Sequence, residues 1–130
     1  KPVRGSEFAA GIDLYNNGDS QTVYSGKGSI TIETMTAMEI PTGYVGLVYV
    51  RSGLGFKGLN LINSCGVIDA DYRGDIGVVV YNLSREPFTI HSGDRIAQLV
   101  ICPVVQADWQ QVEHLDKTDR GEGGFGSTGK

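Results

Sequence analysis

The acidic residues near the middle of the chain are the first candidates for chemistry. Asp69, Asp71 and Asp75 fall within seven positions, and Tyr72 and Arg73 lie between them. An ionised carboxylate can take a proton from water, and an aromatic ring can contact a flat or apolar part of a ligand. A solvated turn seldom needs a tyrosine between two acids, so the pattern favours a functional loop over a purely structural turn. The residues alone do not choose among the three acids.

A second group of residues has the chemistry of a phosphate site. Arg51, Ser52 and Gly53 directly follow an apolar, β-branched run, and a guanidinium, a hydroxyl and backbone N–H groups at a strand end can bind phosphate oxygens. Residues 53–58 also match the GxGxxG pattern, which requires a long helix next. Residues 59–66 show no helical period, so we reject a dinucleotide-binding fold. A glycine-rich connection without a ligand is the structural alternative.

Two isolated polar residues lie in apolar runs. Asp13 is the one acid in the run 9–15, where it is either a ligand or an acid on a solvated strand face. Gln98 shares a strand face with Ile96 and Val100, and a buried amide must be hydrogen-bonded to protein or to a ligand. Both alternatives stay open for each residue.

The elements that position these groups are predicted to be strands. Nineteen glycines, four prolines and short β-branched runs predict one compact all-β domain with few helices. Residues 21–25 and 29–34 are expected to pair about a glycine turn at 26–28, and residues 66–68 are expected to form a hairpin with residues 76–81. Trp109 is interpreted as a packing residue.

Charge and composition exclude several classes of protein. The net charge of -4 argues against a nucleic-acid-binding surface, because affinity for a phosphate backbone comes mainly from clustered Lys and Arg. No apolar run approaches the length of a membrane span, and no secretion signal is visible, which predicts a cytoplasmic location, or a nuclear one if the source is eukaryotic or viral. The spacing of Cys65 and Cys102 indicates neither a metal knuckle nor a disulfide framework.

Read together, five stretches in order resemble the motifs of the trimeric dUTP pyrophosphatases (dUTPases): residues 10–15 (AGIDLY), 51–54 (RSGL), 66–75 (GVIDADYRGD), 93–99 (GDRIAQL) and 120–129 (RGEGGFGSTG). The resemblance implies a distorted jelly-roll or β-barrel that forms a homotrimer with sites between subunits. It also implies hydrolysis of dUTP to dUMP and pyrophosphate with Mg²⁺, which keeps uracil out of DNA and supplies dUMP.

The same resemblance assigns roles by position. Asp69 is implied to be the general base, Tyr72 to lie against the deoxyribose and exclude UTP, and Asp13 to help hold Mg²⁺ through water. Uracil is implied to be bound by Asn63 and the backbone of Gly66, Val67 and Ile68. The phosphate chain is implied to be bound by Arg51, Ser52, Gly53 and Gln98.

The glycine-rich C-terminus is interpreted as a separate arm. We expect a β domain over residues 1–119 and a flexible arm over residues 120–130, because ordering glycine costs backbone entropy. By resemblance the arm of another subunit closes the site, with its substrate-binding residues at Arg120, Phe125, Gly126, Ser127 and Thr128. A disordered tail is the structural alternative.

Two other functions remain as rivals. A dCTP deaminase-type enzyme of the same fold would act on the cytosine ring, and it would need a further glutamate near the base. A nucleotide-gated binding module would use the same site to control a regulatory protein partner. Product analysis separates the first from a dUTPase, and partner binding with and without dUTP separates the second.

Overall fold

The computed structural model describes residues 2–126, and its regular secondary structure is almost entirely strand. The strands are β1 (Val3–Arg4), β2 (Gly11–Tyr15), β3 (Gln21–Val23), β4 (Ser29–Glu33), β5 (Tyr44–Val50), β6 (Leu59–Leu61), β7 (Gly66–Ile68), β8 (Gly77–Asn82), β9 (Phe88–Ile90) and β10 (Arg95–Pro103), and one short helix, α1 (Ser52–Phe56), follows β5. The prediction of an all-β domain is confirmed. The glycine-rich stretch after β5 forms the short helix α1, which the sequence did not predict, and residues 59–66, where no helix was expected, contain none.

The strands form three antiparallel sheets around one core. The five-stranded sheet has the order β1-β2-β10-β5-β7, the three-stranded sheet has the order β4-β8-β6, and β3 pairs with β9. The two larger sheets contribute buried side chains to the same cluster, which includes Leu14, Ile32, Val48, Leu59, Val80 and Leu99. A distorted jelly-roll of this kind was predicted, and the fold is confirmed.

Both hairpins expected from the sequence are wrong. Strand β3 pairs with β9 while β4 pairs with β8, and β7 pairs with β5 rather than with β8. Local turn residues favour pairing of neighbours, but each short strand buries its apolar face only when its sheet packs on the shared core. The acidic stretch 69–75 is therefore a crossing from one sheet to the other, and not a hairpin tip.

A β-bulge interrupts the pairing of β10 with β2 at the start of β10. Arg95 lies opposite Tyr15 and Ala97 lies opposite Leu14, so two residues of β10 stand against one residue of β2. As a result Ile96 and Ala97 are consecutive and both fully buried. From Ala97 onward the ordinary alternation resumes, with Leu99 in the core and Gln98 on the outer face.

Beyond β10 the chain leaves the sheets. Residues 104–126 contain no strand or helix, and nearly all of them are exposed. Trp109, interpreted from the sequence as a packing residue, is 98% exposed in this single chain. Among the described residues, no helix is long and apolar enough to cross a membrane.

Candidate functional site

One cavity collects most of the predicted phosphate ligands. It has a volume of about 430 Å³ and opens at the outer face of the five-stranded sheet. Residues from β2, from the start of α1 and from β10 meet there because these elements are neighbours in space: Asp13, Arg51, Ser52, Gly53, Arg95 and Gln98. Five of these six were predicted as site residues, and Arg95 was not.

Asp13 joins two arginines at the wall of this cavity. Its Oδ1 accepts from Arg51 Nε at 2.9 Å and its Oδ2 accepts from Arg95 Nη1 at 3.2 Å. The Asp13 side chain is only 13% exposed, so the carboxylate is covered by its partners. Asp13 is therefore not a free acid on a solvated strand face.

Gln98 lies opposite Asp13 across the β2–β10 pair and opposite Tyr49 across the β10–β5 pair. Its side chain is half-buried, and Nε2 donates a hydrogen bond to the Val50 carbonyl at 3.4 Å. That long bond uses one of two N–H donors, so the amide retains capacity for a ligand.

The first residues of α1 present the remaining donors. Ser52 and Gly53 are exposed, and no side chain caps the start of the helix in the described part of the chain. The first N–H groups of a helix have no intrahelical partner, so these two residues can donate to phosphate oxygens.

The predicted uracil-reading residues lie at the other edge of the same sheet. Strand β7 is the edge strand, so half of the backbone groups of Gly66, Val67 and Ile68 have no strand partner. A turn with Ser64 at φ 61° leads into β7 and exposes the Asn63 side chain. An edge with unpaired donors and acceptors can bind the edge of a base.

The loop after β7 holds the candidate base and the tyrosine. The Tyr72 N–H donates to the Asp69 carbonyl at 3.1 Å, and the Tyr72 hydroxyl donates to the Asp75 carbonyl at 2.9 Å. Arg73 Nη1 donates to the Ala70 carbonyl at 2.7 Å, and this hydrogen bond stabilises the loop internally. Asp69 is exposed and lines a cavity of about 640 Å³.

A single chain does not bring Asp69 to the phosphate-side residues. Asp69 follows Ile68, which lies opposite Gly46, whereas Gln98 lies opposite Tyr49, three residues further along β5. At strand spacings Ile68 and Gln98 are about 10 Å apart along the strands and about 10 Å apart across them, and Asp69 lies one residue further from Gln98. Asp69 and Gln98 line different cavities.

The C-terminal residues are also away from both cavities. Arg120 Nε donates to the Gly123 carbonyl at 2.9 Å within its own turn, and Phe125 and Gly126 are exposed. Ser127 and Thr128, predicted to bind the outer phosphates, lie outside the described residues.

One residue that lines the phosphate cavity was missed in the sequence. Arg95 was read as an ordinary strand residue, since only the bulge turns it toward Asp13. Tyr49 lies opposite Gln98 on β5 but does not line this cavity, and hydrogen bonding to Cys65, followed by the charge of Cys65, raises the pKa of its phenol above the ordinary value. Tyr49 is therefore a neutral hydrogen-bonding group at neutral pH.

The fold and these cavities define an all-β protein with a cationic cavity suited to phosphates and an open strand edge suited to a base. A family model for dUTPase matches residues 1–129, and the chain belongs to the dUTPase family. The deoxyuridine 5′-triphosphate nucleotidohydrolase of Desulfotalea psychrophila is 50% identical over 98% of this chain and 86% of its own length. The one from Candida albicans is 47% identical, over 99% and 80%.

Two solved structures that are similar to this chain are also dUTPases. A dUTPase variant of Staphylococcus bacteriophage 80alpha with dUpNHpp has a TM-score of 0.88 and 31% identity, covering 100% of this chain and 92% of that one. A dUTPase variant from phage phi11 of S. aureus, described with a structural Mg(II) ion, has a TM-score of 0.78 and 29% identity, covering 88% and 90%.

Proposed function

We propose that this protein hydrolyses dUTP to dUMP and pyrophosphate by attack of water on the α-phosphorus. The observation that carries the proposal is the arrangement of one sheet, with two guanidiniums and an amide at one cavity and a carboxylate beside an unpaired strand edge at another. Membership of the dUTPase family and the names of the relatives support the substrate.

Asp69 is the general base of the proposal. It orients the attacking water and takes its proton, which requires an ionised carboxylate that water can reach, and the exposure of Asp69 supports this. The Tyr72 ring packs against the deoxyribose. Its hydroxyl is bound to the Asp75 carbonyl, which holds the ring where a 2′-hydroxyl would clash.

The backbone of Gly66, Val67 and Ile68, with the Asn63 side chain, binds the uracil edge. Because backbone donors and acceptors are fixed in an edge strand, cytosine would leave them unpaired. This pairing requirement is the source of base selectivity in the proposal.

Arg51, Ser52, Gly53 and Gln98 hold the phosphate chain.

Mg²⁺ usually keeps several waters and binds through one or two carboxylates and the substrate phosphates. The described residues contain no group of three His, Cys, Asp or Glu side chains that could hold a metal by itself, but Asp13 fits such a hydrated ion. Each of its oxygens has one arginine partner and keeps lone-pair capacity for a water. When bound, Mg²⁺ neutralises charge on the phosphates.

The proposed assembly is a homotrimer, with the site formed between copies and closed by the arm 120–130 of another copy. Trimerisation follows the family resemblance, and the separation of Asp69 from Gln98 supports a site shared between chains. Exposed apolar residues along the C-terminal segment, including Val105, Trp109 and Leu115, support contact with a neighbour. Mass measurement in solution tests the trimer.

The deciding experiment is product analysis with Mg²⁺ and, separately, dUTP, dCTP, dTTP and UTP. Release of dUMP and pyrophosphate from dUTP alone is the expected result. Deamination of dCTP would overturn the proposal in favour of the deaminase-type enzyme. Tight dUTP binding without turnover would overturn it in favour of a nucleotide-gated regulatory module.

A further inference from the structure

Arg95 is placed at the phosphate cavity by a break in strand geometry. With regular alternation, Arg95 would share a face with Ala97 and Leu99, which are both buried in the core. The bulge between Arg95 and Ala97 shifts the register by one residue and turns the guanidinium to the outer face, where Nη1 lies 3.2 Å from Asp13 Oδ2. Bulges occur next to active sites, where they redirect a side chain.

The two arginines stand side by side between two cavities. Arg51 and Arg95 both line the 430 Å³ cavity and also a neighbouring cavity of about 280 Å³, whose lining includes Lys57 and the oppositely charged Asp94. Two guanidiniums that line the same cavity repel each other, and an anion between them offsets that repulsion. Asp13 is that anion, with one carboxylate oxygen for each.

The bridge leaves most of the donors free. A guanidinium has five N–H donors, and Asp13 takes one from each arginine. Because Asp13 holds both guanidiniums in place, their remaining N–H groups are preorganised. They can donate to the oxygens of one phosphate chain. Two preorganised guanidiniums bind a polyphosphate more tightly than one, because less side-chain freedom is lost on binding.

We propose that Arg95 is a substrate-binding residue that contacts the phosphate chain together with Arg51. In the same proposal Asp13 is a positioning residue that holds the two guanidiniums in place. The inference rests on the proposed dUTPase function and deepens it by adding a second cationic ligand for the triphosphate.

The test measures binding of the analogue dUpNHpp to the full chain by calorimetry, with Mg²⁺ present. Arg95→Gln is expected to raise the Kd about tenfold, because a charge-assisted hydrogen bond is lost. Arg95→Lys keeps the charge without the fork and is expected to recover part of the affinity. The matched control, Arg85→Gln, removes an exposed arginine outside both cavities and stays within about twofold of the unaltered protein.

A double-mutant cycle tests the positioning role. In an Asp13→Asn background Arg95 is no longer held, so the additional effect of Arg95→Gln is expected to shrink to less than about threefold. An equal effect of Arg95→Gln in both backgrounds would show that Asp13 does not position Arg95.

The outcomes for the inference and for the function are separable. If the unaltered protein hydrolyses dUTP and Arg95→Gln, with its fold verified by circular dichroism, binds dUpNHpp as Arg85→Gln does, only the inference fails. If the unaltered protein neither binds dUpNHpp nor hydrolyses dUTP, both fail.

Discussion

The Gln98 side chain lies directly over Gly11, and a Cβ at Gly11 would come within 2.7 Å of Gln98 Oε1 and 3.2 Å of its Cβ. The close approach across β2 and β10 leaves room for no side chain at position 11 while the amide keeps its place. Glycine at this position is therefore explained by the neighbour's side chain, and not by an unusual backbone conformation.

Gly11→Ala should displace the Gln98 amide and weaken phosphate binding. We expect the KM for dUTP to rise by about tenfold, the value of one lost hydrogen bond to a charged group, with a small change in Tm because the flexible amide can move. Steady-state kinetics and thermal melting measure the two effects. Gly55→Ala is the control for added bulk, since a Cβ there makes only ordinary contact, 3.5 Å from Val50 Cγ1, and Gly55 lines neither the phosphate cavity nor the cavity at Asp69. An unchanged KM in Gly11→Ala would contradict a substrate contact by Gln98.

Asp69→Asn should abolish turnover and spare binding. Removing a general base costs about 10² to 10⁴ in kcat. Asp71→Asn, two residues away in the same loop, has the same change of charge and serves as the control, with kcat expected within a few-fold of the unaltered protein. Single-turnover kinetics with dUTP and dUpNHpp binding measure the two steps. Equal losses in both variants would mean that loop charge, and not one base, matters.

Tyr72→Ala should admit UTP. With the ring gone, the 2′-hydroxyl has space, so the ratio of kcat/KM for dUTP over UTP is expected to fall by about tenfold or more. Tyr72→Phe keeps the ring and loses only the 2.9 Å bond to the Asp75 carbonyl, so it should retain most of the selectivity. Selectivity that survives Tyr72→Ala would exclude the ring as its source.

Deletion of residues 120–130 should give a folded protein with little turnover. The described part of this arm makes no contact with the core cluster, so Tm and circular dichroism are expected to change little. Loss of closure exposes the reacting groups to bulk water and should lower kcat. Failure of the shortened chain to fold would contradict the division into a β domain and an arm.

The sequence predicts the strands better than their partners. Runs such as 44–50 and 95–102 are visible because β-branched and apolar residues cluster between glycine-rich turns, and both appear as strands with nearly the expected bounds. Which strand pairs with which depends on burial in the shared core, which no local turn reveals, and this is why β7 and β8 were wrongly paired.

The site residues, too, could be predicted only where the local sequence reveals them. Asp13 and Gln98 could be found because a polar residue in an apolar run needs a reason, and the structure places them opposite each other. Arg95 could not be found in this way, because a β-bulge has no distinct composition in the sequence. The extra residue moves the side chains before it to the opposite face of the sheet.

The separation of Asp69 from Gln98 in one chain has a consequence for mixtures of altered copies. If each site takes Asp69 from one subunit and Arg51 from another, a copy altered at one of these residues inactivates a site that it shares with a neighbouring subunit. Two dead variants, Asp69→Asn and Arg51→Gln, should then complement each other: random mixing in equal amounts restores about a quarter of the sites, since one neighbour can supply what the other lacks. Genetically, such alleles would rescue one another, whereas either variant mixed equally with the normal copy would simply lose about half of the sites.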